Sequence, residues 1–325
     1  MILAGDVGGT KTILALYSVE QGVTRCIKKQ QYLSHDYVCF ADLLTVFLGD
    51  VAPNAIKAAS IGVAGPIING DCHATNLPWH IQRSAIRQQL QTQQVTLLND
   101  LEATAWGVLG LPASDFVELN AQAEQNLGHV AILAAGTGLG ESLCCWDGQR
   151  YHVMPSEGGH VDFAPTNERE IELLRFLMPQ YPGHVSYERV VSGMGLVNIY
   201  QFLKHSGFAV EQADVAQKMR ECDPAAVIGE VGITLSDALC TETLRMFCRL
   251  YGAQAGNLAL TSLPYGGVFL AGGIAAKILP FITQGDFLQG FLDKGRYQPA
   301  LRKLSVKVCT NPEVALIGAV NYALQ

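Results

Sequence analysis

The chain has 325 residues, of which 49% are hydrophobic and 16% charged, and this composition excludes an intrinsically disordered protein. Its 22 basic and 29 acidic side chains give a net charge of −7, which disfavours nucleic acid or an anionic membrane as the main partner. No apolar run approaches the roughly 18 residues of a membrane span, and the N-terminal residues lack a secretory signal pattern, so we expect a cytoplasmic protein.

Strand and helix signals alternate over the first hundred residues. Buried-strand patterns cover residues 1–5, 12–18, 23–31, 58–64 and 95–98, with a turn at Glu20-Gln21-Gly22, and helical spacing covers residues 40–50 and 83–91. This order predicts a mixed sheet that is covered by helices.

The rest of the chain repeats the opening pattern and adds long helical segments. We predict helices over residues 101–109 and 312–324, a mostly helical segment over 167–264, and strands over 129–147, 266–274 and 304–308. A strand, a glycine turn and a second strand therefore occur once in each half.

The length favours two domains over one. We predict a small α/β domain over residues 1–110 and a large α/β domain over residues 111–300, with a C-terminal helix of about 301–325 returning to the small domain. The nine cysteines are odd in number and form no CxxC pair, so we expect reduced thiols and no structural zinc.

Two glycine-rich loops follow apolar strand patterns. The first glycine loop is Gly5–Thr12, and the second glycine loop is Ala134–Gly140. Glycine allows backbone N–H groups to approach an anion because no Cβ intervenes. Neither loop is a GxxxxGK[ST] or a GxGxxG motif. Two such loops predict a duplicated core that binds a polyphosphate.

Two charged residues belong to the first glycine loop. Asp6 would repel a phosphate unless a cation lies between them, which points to Mg²⁺ held through water; the alternative is an ordinary turn residue. Lys11 contacts a phosphate or is solvated, and the sequence does not separate these two interpretations.

Three further segments carry candidate polar residues. Asn99-Asp100 follows a strand and starts a helix, so it is either a helix N-cap or the position of a catalytic base. Glu157 and His160 flank two glycines, and a turn there would direct both side chains toward a polyol; an ordinary surface turn is the alternative. For Glu188 the default is a solvated carboxylate on a helix face.

Together these segments resemble the bacterial ATP-dependent glucokinase family, within the hexokinase, actin and Hsp70 group of ATPases. The resemblance rests on Gly5-Asp6-Val7-Gly8-Gly9-Thr10, Leu98-Asn99-Asp100, Gly136-Thr137-Gly138-Leu139-Gly140, Glu157 through Pro165, Ser186 through Gly193, and Gly267 through Gly273. It implies a two-domain α/β fold of the actin-like ATPase (ribonuclease H-like) type, with a cleft between the domains. It also implies a homodimer.

The resemblance further implies a role for each matched residue. Asp100 would be the general base that deprotonates the 6-hydroxyl of glucose. The other sugar hydroxyls would be bound by Asn99, Glu157, His160 and Glu188. ATP would be bound by Asp6 (through Mg²⁺), Gly8, Gly9, Thr10, Lys11, Gly136, Thr137 and Gly138, and its adenosine by Gly272 and Gly273.

The chain departs from the usual family pattern at Lys11-Thr12, Asn76 through Trp79 and Tyr187, which leaves the exact hexose and the phosphoryl donor open. A kinase for fructose, mannose or an N-acetylhexosamine is the nearest alternative. A sugar-responsive regulator is disfavoured because the kinase motifs begin within the first ten residues and the charge is negative. An actin-like or Hsp70-like ATPase gives no role to Glu157 and His160.

Overall fold

The computed structural model of the protein describes residues 1–20, 23–75 and 77–325. Its backbone forms two compact units. Unit 1 consists of Met1–Ala113 with Asn311–Gln325, and unit 2 consists of Ser114–Thr310. The predicted turn residues Gln21 and Gly22, and the family departure at Asn76, lie outside the described residues.

Unit 1 contains two sheets, one of five strands and one of three strands. Its strands are β1 (Ile2–Val7), β2 (Lys11–Glu20), β3 (Val23–Leu33), β4 (Ala58–Val63), β5 (Ile67–Ile68), β6 (Asp71–His73), β7 (His80–Gln82) and β8 (Gln94–Asn99). The large sheet has the order β3-β2-β1-β4-β8, and the small one has the order β5-β6-β7. Because β1 is antiparallel to β2 while β1, β4 and β8 are parallel, the predicted mixed sheet is confirmed.

The helices of unit 1 are α1 (Phe40–Leu48), α2 (Arg83–Leu90), α3 (Asp100–Gly110) and the C-terminal helix (Val314–Ala323). In α1 the buried residues Phe40, Leu43, Leu44 and Phe47 recur at the spacing of one helix face, which is the pattern that predicts this helix. The C-terminal helix closes a small buried cluster that consists of Ala4, Ala15, Leu316, Ala319 and Val320.

Two glycines allow α3 and the C-terminal helix to approach closely. A Cβ on Gly107 would overlap the carbonyl oxygen of Val314, and a Cβ on Gly318 would overlap the carbonyl oxygen of Ala103. Only glycine has no Cβ to clash there. The C-terminal helix is thereby fixed against the helix whose first residue is Asp100.

Unit 2 is built on a six-stranded sheet with the order β12-β11-β10-β13-β14-β9. Its strands are β9 (Phe116–Glu118), β10 (Val130–Ala135), β11 (Leu139–Trp146), β12 (Tyr151–Ser156), β13 (Gly267–Ala271) and β14 (Val306–Cys309). β10 is antiparallel to β11 and parallel to β13, as β1 is to β2 and β4, so the predicted repetition of the opening pattern is confirmed.

The strand predicted over residues 304–308 is present as β14, whereas two strands of unit 2, β12 and β9, were not predicted. β12 was not predicted because it is a largely exposed edge strand that contains Pro155 and lacks an apolar run. β9 has only three residues. β14 pairs with β13 and β9, so residues 301–310 group with unit 2 and do not return to the first domain with the C-terminal helix.

Helices form most of the rest of unit 2. They are α4 (Glu168–Leu177), α5 (Gly193–His205), α6 (Ala213–Glu221), α7 (Pro224–Ile233), α8 (Ala238–Ser262), α9 (Gly273–Lys277), α10 (Leu279–Ile282), α11 (Asp286–Leu292) and α12 (Gln298–Leu301). The 25-residue α8 begins at the N-cap Asp237 and is buried along most of its length, so it crosses the interior of this unit.

Candidate active site

Asp100 lies at the carboxyl edge of the unit 1 sheet, where β8 passes directly into α3. Asn99 is the helix N-cap: its side-chain oxygen accepts a hydrogen bond from the N–H of Leu101 at 2.9 Å, and its amide donates to the carbonyl of Gly65 at 3.1 Å. Oδ1 of Asp100 accepts from the same Leu101 N–H at 3.0 Å. The half-buried Asp100 carboxylate is thus held at the first position of the helix.

Asp6 lies within β1, so the expectation of a loop or turn residue is wrong. Its backbone is paired on both sides, with Ile13 of β2 and Gly62 of β4. Burial and then the charge of Asp100 raise the pKa of Asp6 to about 6. Two carboxyl groups therefore share one edge of the unit 1 sheet.

The first glycine loop connects β1 to β2 as a short turn. The N–H of Gly8 donates to the carbonyl of Lys11 at 2.9 Å. Ser34, the first residue of the 3-10 turn that follows β3, holds this loop in place: its N–H donates to the carbonyl of Thr10 at 3.0 Å, and its hydroxyl donates to the carbonyl of Gly8 at 2.9 Å. Gly9 is half-buried, whereas Thr10 and Lys11 are exposed. Ser34 was not predicted, because it belongs to no recognisable sequence motif.

Glu157 and His160 form a turn in unit 2, as predicted. The N–H of His160 donates to the carbonyl of Glu157 at 2.9 Å, and the two exposed side chains approach to 3.9 Å between Nε2 and Oε2. A Cβ on Gly159 would overlap the carbonyl oxygen of Leu139, so this Glu157–His160 turn packs directly on the second glycine loop.

Glu188 is half-buried in a short 3-10 turn. The expectation from the sequence, a solvated carboxylate on a helix face, is therefore wrong. Its Oε2 accepts a hydrogen bond from the N–H of Leu139 at 3.1 Å. A Cβ on Gly138 would lie 2.5 Å from the same oxygen. Glu188, the Glu157–His160 turn and the second glycine loop are therefore contiguous in unit 2.

A cavity of about 650 Å³ opens in unit 2 beside Gly136 and Thr137. The N–H of Gly193, the first residue of α5, donates to the carbonyl of Gly136 at 2.8 Å, which joins the loop to this helix. Apolar side chains line much of the cavity: Met194, Leu196, Val197, Ile233, Ile274 and Ile278. The volume and the lining are those of a pocket for a small organic ligand.

Gly273 lines this cavity, and Gly272 directly precedes it. Gly272 has φ +79°, and a Cβ there would lie 2.5 Å from the carbonyl oxygen of Ala135. Three charged residues at the cavity, Asp223, Glu230 and Lys277, were missed in the sequence. Only Asp223 had a signal, since Asp followed by Pro is a helix start, and it is the N-cap of α7.

Within residues 1–20, 23–75 and 77–325, no group of three or more His, Cys, Asp or Glu side chains could hold a metal ion. Asp6 and Asp100 together supply two carboxyl groups, one fewer than such a group requires. A pair of this kind suits Mg²⁺, which commonly keeps several waters and takes its remaining oxygens from phosphates.

The repeated hairpin sheets of the two units define the actin-like ATPase fold, and each unit carries carboxylates at or beside its glycine loop. The family model for glucokinase matches residues 3–325, so the chain belongs to the glucokinase family.

Individual relatives agree with this assignment. A curated glucokinase of Trichormus variabilis is 42% identical over 333 residues, covering 98% of this chain and 97% of the relative. A solved glucokinase from an Antarctic psychrotroph is 30% identical with a TM-score of 0.83, covering 99% of this chain and 98% of that one. The glucokinase of Balamuthia mandrillaris, solved in complex with glucose, shares the fold with a TM-score of 0.79 at 24% identity, covering 99% of this chain and 92% of that one.

Each helix that the structure describes is too short or too polar to span a bilayer.

Proposed function

We propose that the protein transfers the γ-phosphoryl group of ATP to the 6-hydroxyl of glucose, with Asp100 as the general base. The observation that carries this proposal is the position of Asp100, a half-buried carboxylate at the carboxyl edge of a parallel set of strands. Ligands of open α/β sheets bind at such edges. The membership of the glucokinase family supports the same reaction.

Asp100 would accept the proton of the 6-hydroxyl as its oxygen attacks the γ-phosphorus, and would later release this proton to solvent. The carboxylate needs a fixed orientation for this step. The N-cap Asn99 and the N–H of Leu101, which donates to Oδ1 at 3.0 Å, provide it. The amide of Asn99 would also contact the sugar.

The other sugar hydroxyls would be bound by Glu157, His160 and Glu188. Carboxylates accept hydrogen bonds, and an imidazole either donates or accepts, so these groups can pair with adjacent hydroxyls. The Glu157–His160 turn presents both side chains to one side, 3.9 Å apart. A sugar that lacks a matching hydroxyl would leave polar groups unpaired, which disfavours its binding.

The nucleotide would contact both glycine loops. Gly8, Gly9 and Thr10, with Lys11, would bind phosphate oxygens from unit 1, and Gly136, Thr137 and Gly138 would do so from unit 2. The adenosine would occupy the cavity beside Gly273, whose apolar lining suits a planar base.

Asp6 would hold Mg²⁺ through water. When bound, Mg²⁺ neutralises negative charge on the β- and γ-phosphates. Burial and the neighbouring charge of Asp100 raise the pKa of Asp6 to about 6, and a bound cation would offset both effects and favour the ionised carboxylate.

The first experiment compares wild-type protein with Asp100→Asn in a coupled assay for glucose 6-phosphate. Asp100→Asn should lower kcat by about two to four orders of magnitude while glucose binding is retained. Asp214→Asn, the same chemical change in the first turn of the exposed α6, is the matched control and should leave kcat unchanged. Near-normal kcat in Asp100→Asn would exclude Asp100 as the base.

A substrate panel tests the remaining alternatives. Glucose, fructose, mannose and N-acetylglucosamine are compared with ATP, and ATP, ADP and polyphosphate are compared with glucose. A higher kcat/KM for another hexose than for glucose would reassign the substrate. Cytoplasmic location and the homodimer that the family resemblance implies stay predictions, and sedimentation of the purified protein tests the latter.

A further inference from the structure

A buried carboxyl group lies beneath the proposed sugar-binding residues. Glu141, on β11, is 2% exposed, and its Oε1 accepts a hydrogen bond from Nε2 of Gln254 at 2.8 Å. Gln254, on α8, is 3% exposed. The proposed reaction uses neither residue. A buried, hydrogen-bonded polar pair in an otherwise apolar interior therefore needs a separate explanation.

The pair continues as a chain of hydrogen bonds toward Glu188. Oε1 of Gln254 accepts from Nδ2 of Asn257 at 3.2 Å, and the same amide nitrogen donates to the hydroxyl of Tyr187 at 3.2 Å. Tyr187 is 1% exposed and directly precedes Glu188. Side chains on α8 thus connect β11 with the turn that carries Glu188.

At its other end the chain reaches the Glu157–His160 turn. A Cβ on Gly158 would overlap Oε2 of Glu141, so the carboxyl group fills the space directly under this turn. Both segments that carry proposed sugar ligands therefore rest on one buried polar network.

We propose that Glu141 is a positioning residue for the sugar: through Gln254, Asn257 and Tyr187 it fixes the Glu157–His160 turn relative to Glu188. This inference rests on the proposed function, because it assumes that Glu157, His160 and Glu188 bind the same sugar ring. Buried hydrogen-bond networks rigidify the segments that they connect.

The energetics support a functional explanation. A buried polar network is expensive to desolvate, and an apolar pair of similar volume is often equally or more stable. Stability alone therefore does not account for a carboxyl group at this position. The need for a fixed separation between the two turns that carry the proposed sugar ligands does account for it.

Two variants interrupt the network at different points. Glu141→Leu removes the carboxyl group at similar volume, and Tyr187→Phe removes only the hydroxyl group that Asn257 contacts. Each should raise the KM for glucose about fivefold or more, with kcat and the KM for ATP changed less than twofold, because uniform sugar binding is what is lost. Glu141→Gln keeps an acceptor for Gln254 and should restore the KM to within twofold of wild type.

Tyr251→Phe is the matched control for Tyr187→Phe. Tyr251 lies on α8 and, like Tyr187, is fully buried. Its hydroxyl donates a hydrogen bond to the carbonyl of Leu133 at 3.2 Å and to no member of the network named above. This variant should keep the wild-type KM for glucose. A purely structural role for the network would instead lower the Tm of Glu141→Leu and Tyr187→Phe without separating the two KM values.

The outcomes separate this inference from the proposed function. If wild-type protein does not phosphorylate glucose, or Glu157→Gln does not raise the KM for glucose, the proposed function or its site is wrong. If both hold and folded Tyr187→Phe and Glu141→Leu keep the wild-type KM for glucose, the positioning role of Glu141 is wrong. If only Glu141→Leu fails to fold, the KM of Tyr187→Phe decides.

Discussion

Oε2 of Glu188 accepts a hydrogen bond from the backbone N–H of Leu139 at 3.1 Å, between Gly138 and Gly140 of the second glycine loop. A carboxylate proposed to bind sugar is therefore also a structural support of a loop proposed to bind phosphate. Its removal leaves the Leu139 N–H without this acceptor and opens space beside Gly138.

We expect Glu188→Ala to raise the KM for both substrates, about tenfold for glucose and severalfold for ATP, because one side chain serves both sites. Initial rates at varied glucose and varied ATP measure this. Glu157→Ala should raise only the glucose KM, and Glu168→Ala, an exposed carboxylate in the first turn of α4, should change neither. An unchanged ATP KM in Glu188→Ala would argue against the dual role.

The cavity in unit 2 provides a second prediction. Among the residues that the structure describes, a Cβ on Gly229 of α7 would have one near neighbour, Cγ2 of Ile278 at 3.9 Å, so Gly229→Ala should fit and keep the wild-type KM for ATP. Gly229→Leu projects a larger side chain into the cavity and should raise the ATP KM tenfold or more. The glucose KM should stay within twofold. Titration of each variant with a fluorescent ATP analogue measures nucleotide affinity separately from turnover. Equal affinity of the two variants for the analogue would place the adenosine elsewhere.

The close contact between α3 and the C-terminal helix in unit 1 provides a third prediction. Gly318→Ala forces a Cβ against the carbonyl oxygen of Ala103 and should destabilise the fold by about 1–3 kcal/mol. It should also lower kcat, because α3 must shift and Asp100 is its first residue. Ala315→Gly on the same helix should cost about 1 kcal/mol in stability and leave kcat unchanged. Urea unfolding and steady-state rates test both, and an unaltered kcat in Gly318→Ala would separate the helix contact from catalysis.

The buried carboxyl group of Glu141 predicts a pH dependence of stability. Burial raises its pKa to about 7, and the hydrogen bond from Gln254 only partly opposes this shift. The folded state then binds a proton more tightly than the unfolded state, so its stability falls as pH rises from about 4.5 to about 7. The nearby phenols of Tyr187 and Tyr251 have raised pKa values, mainly through burial, and stay neutral in this range.

The Glu141→Gln variant has no ionisable group at this position, so its stability should not show this fall as pH rises. The free energy of unfolding of this variant should therefore increase relative to that of wild type by up to about 3 kcal/mol between pH 5 and pH 8. Urea unfolding across this range measures the difference. A flat difference between the two proteins would mean that Glu141 ionises at its ordinary pKa.

Long periodic segments were predicted well because their apolar patterns are local. The helix at Phe40–Leu48 and the strands of both hairpins follow directly from spacing and from the glycines that end them. The Glu157–His160 turn was predicted for the same reason, since two glycines between polar residues favour a tight turn.

Contacts between segments distant in the chain were not predictable in this way. Ser34 and Glu188 reach the glycine loops through tertiary structure, with no signal in their neighbours. Asp6 was placed in a loop because its flanking glycines suggested one, whereas pairing on both sides extends β1 to Val7. β12 was missed because an exposed edge strand needs no apolar run.

Unit 1 is discontinuous, since Met1–Ala113 is completed by Asn311–Gln325, whereas unit 2 is one continuous stretch. During synthesis the ribosome therefore finishes all of unit 2 before the segment that packs on Ala4, Ala15 and α3 exists. Unit 2 can mature while the nascent chain is still attached, but the helix that orients Asp100 acquires this supporting neighbour only after all of unit 2 has been synthesised.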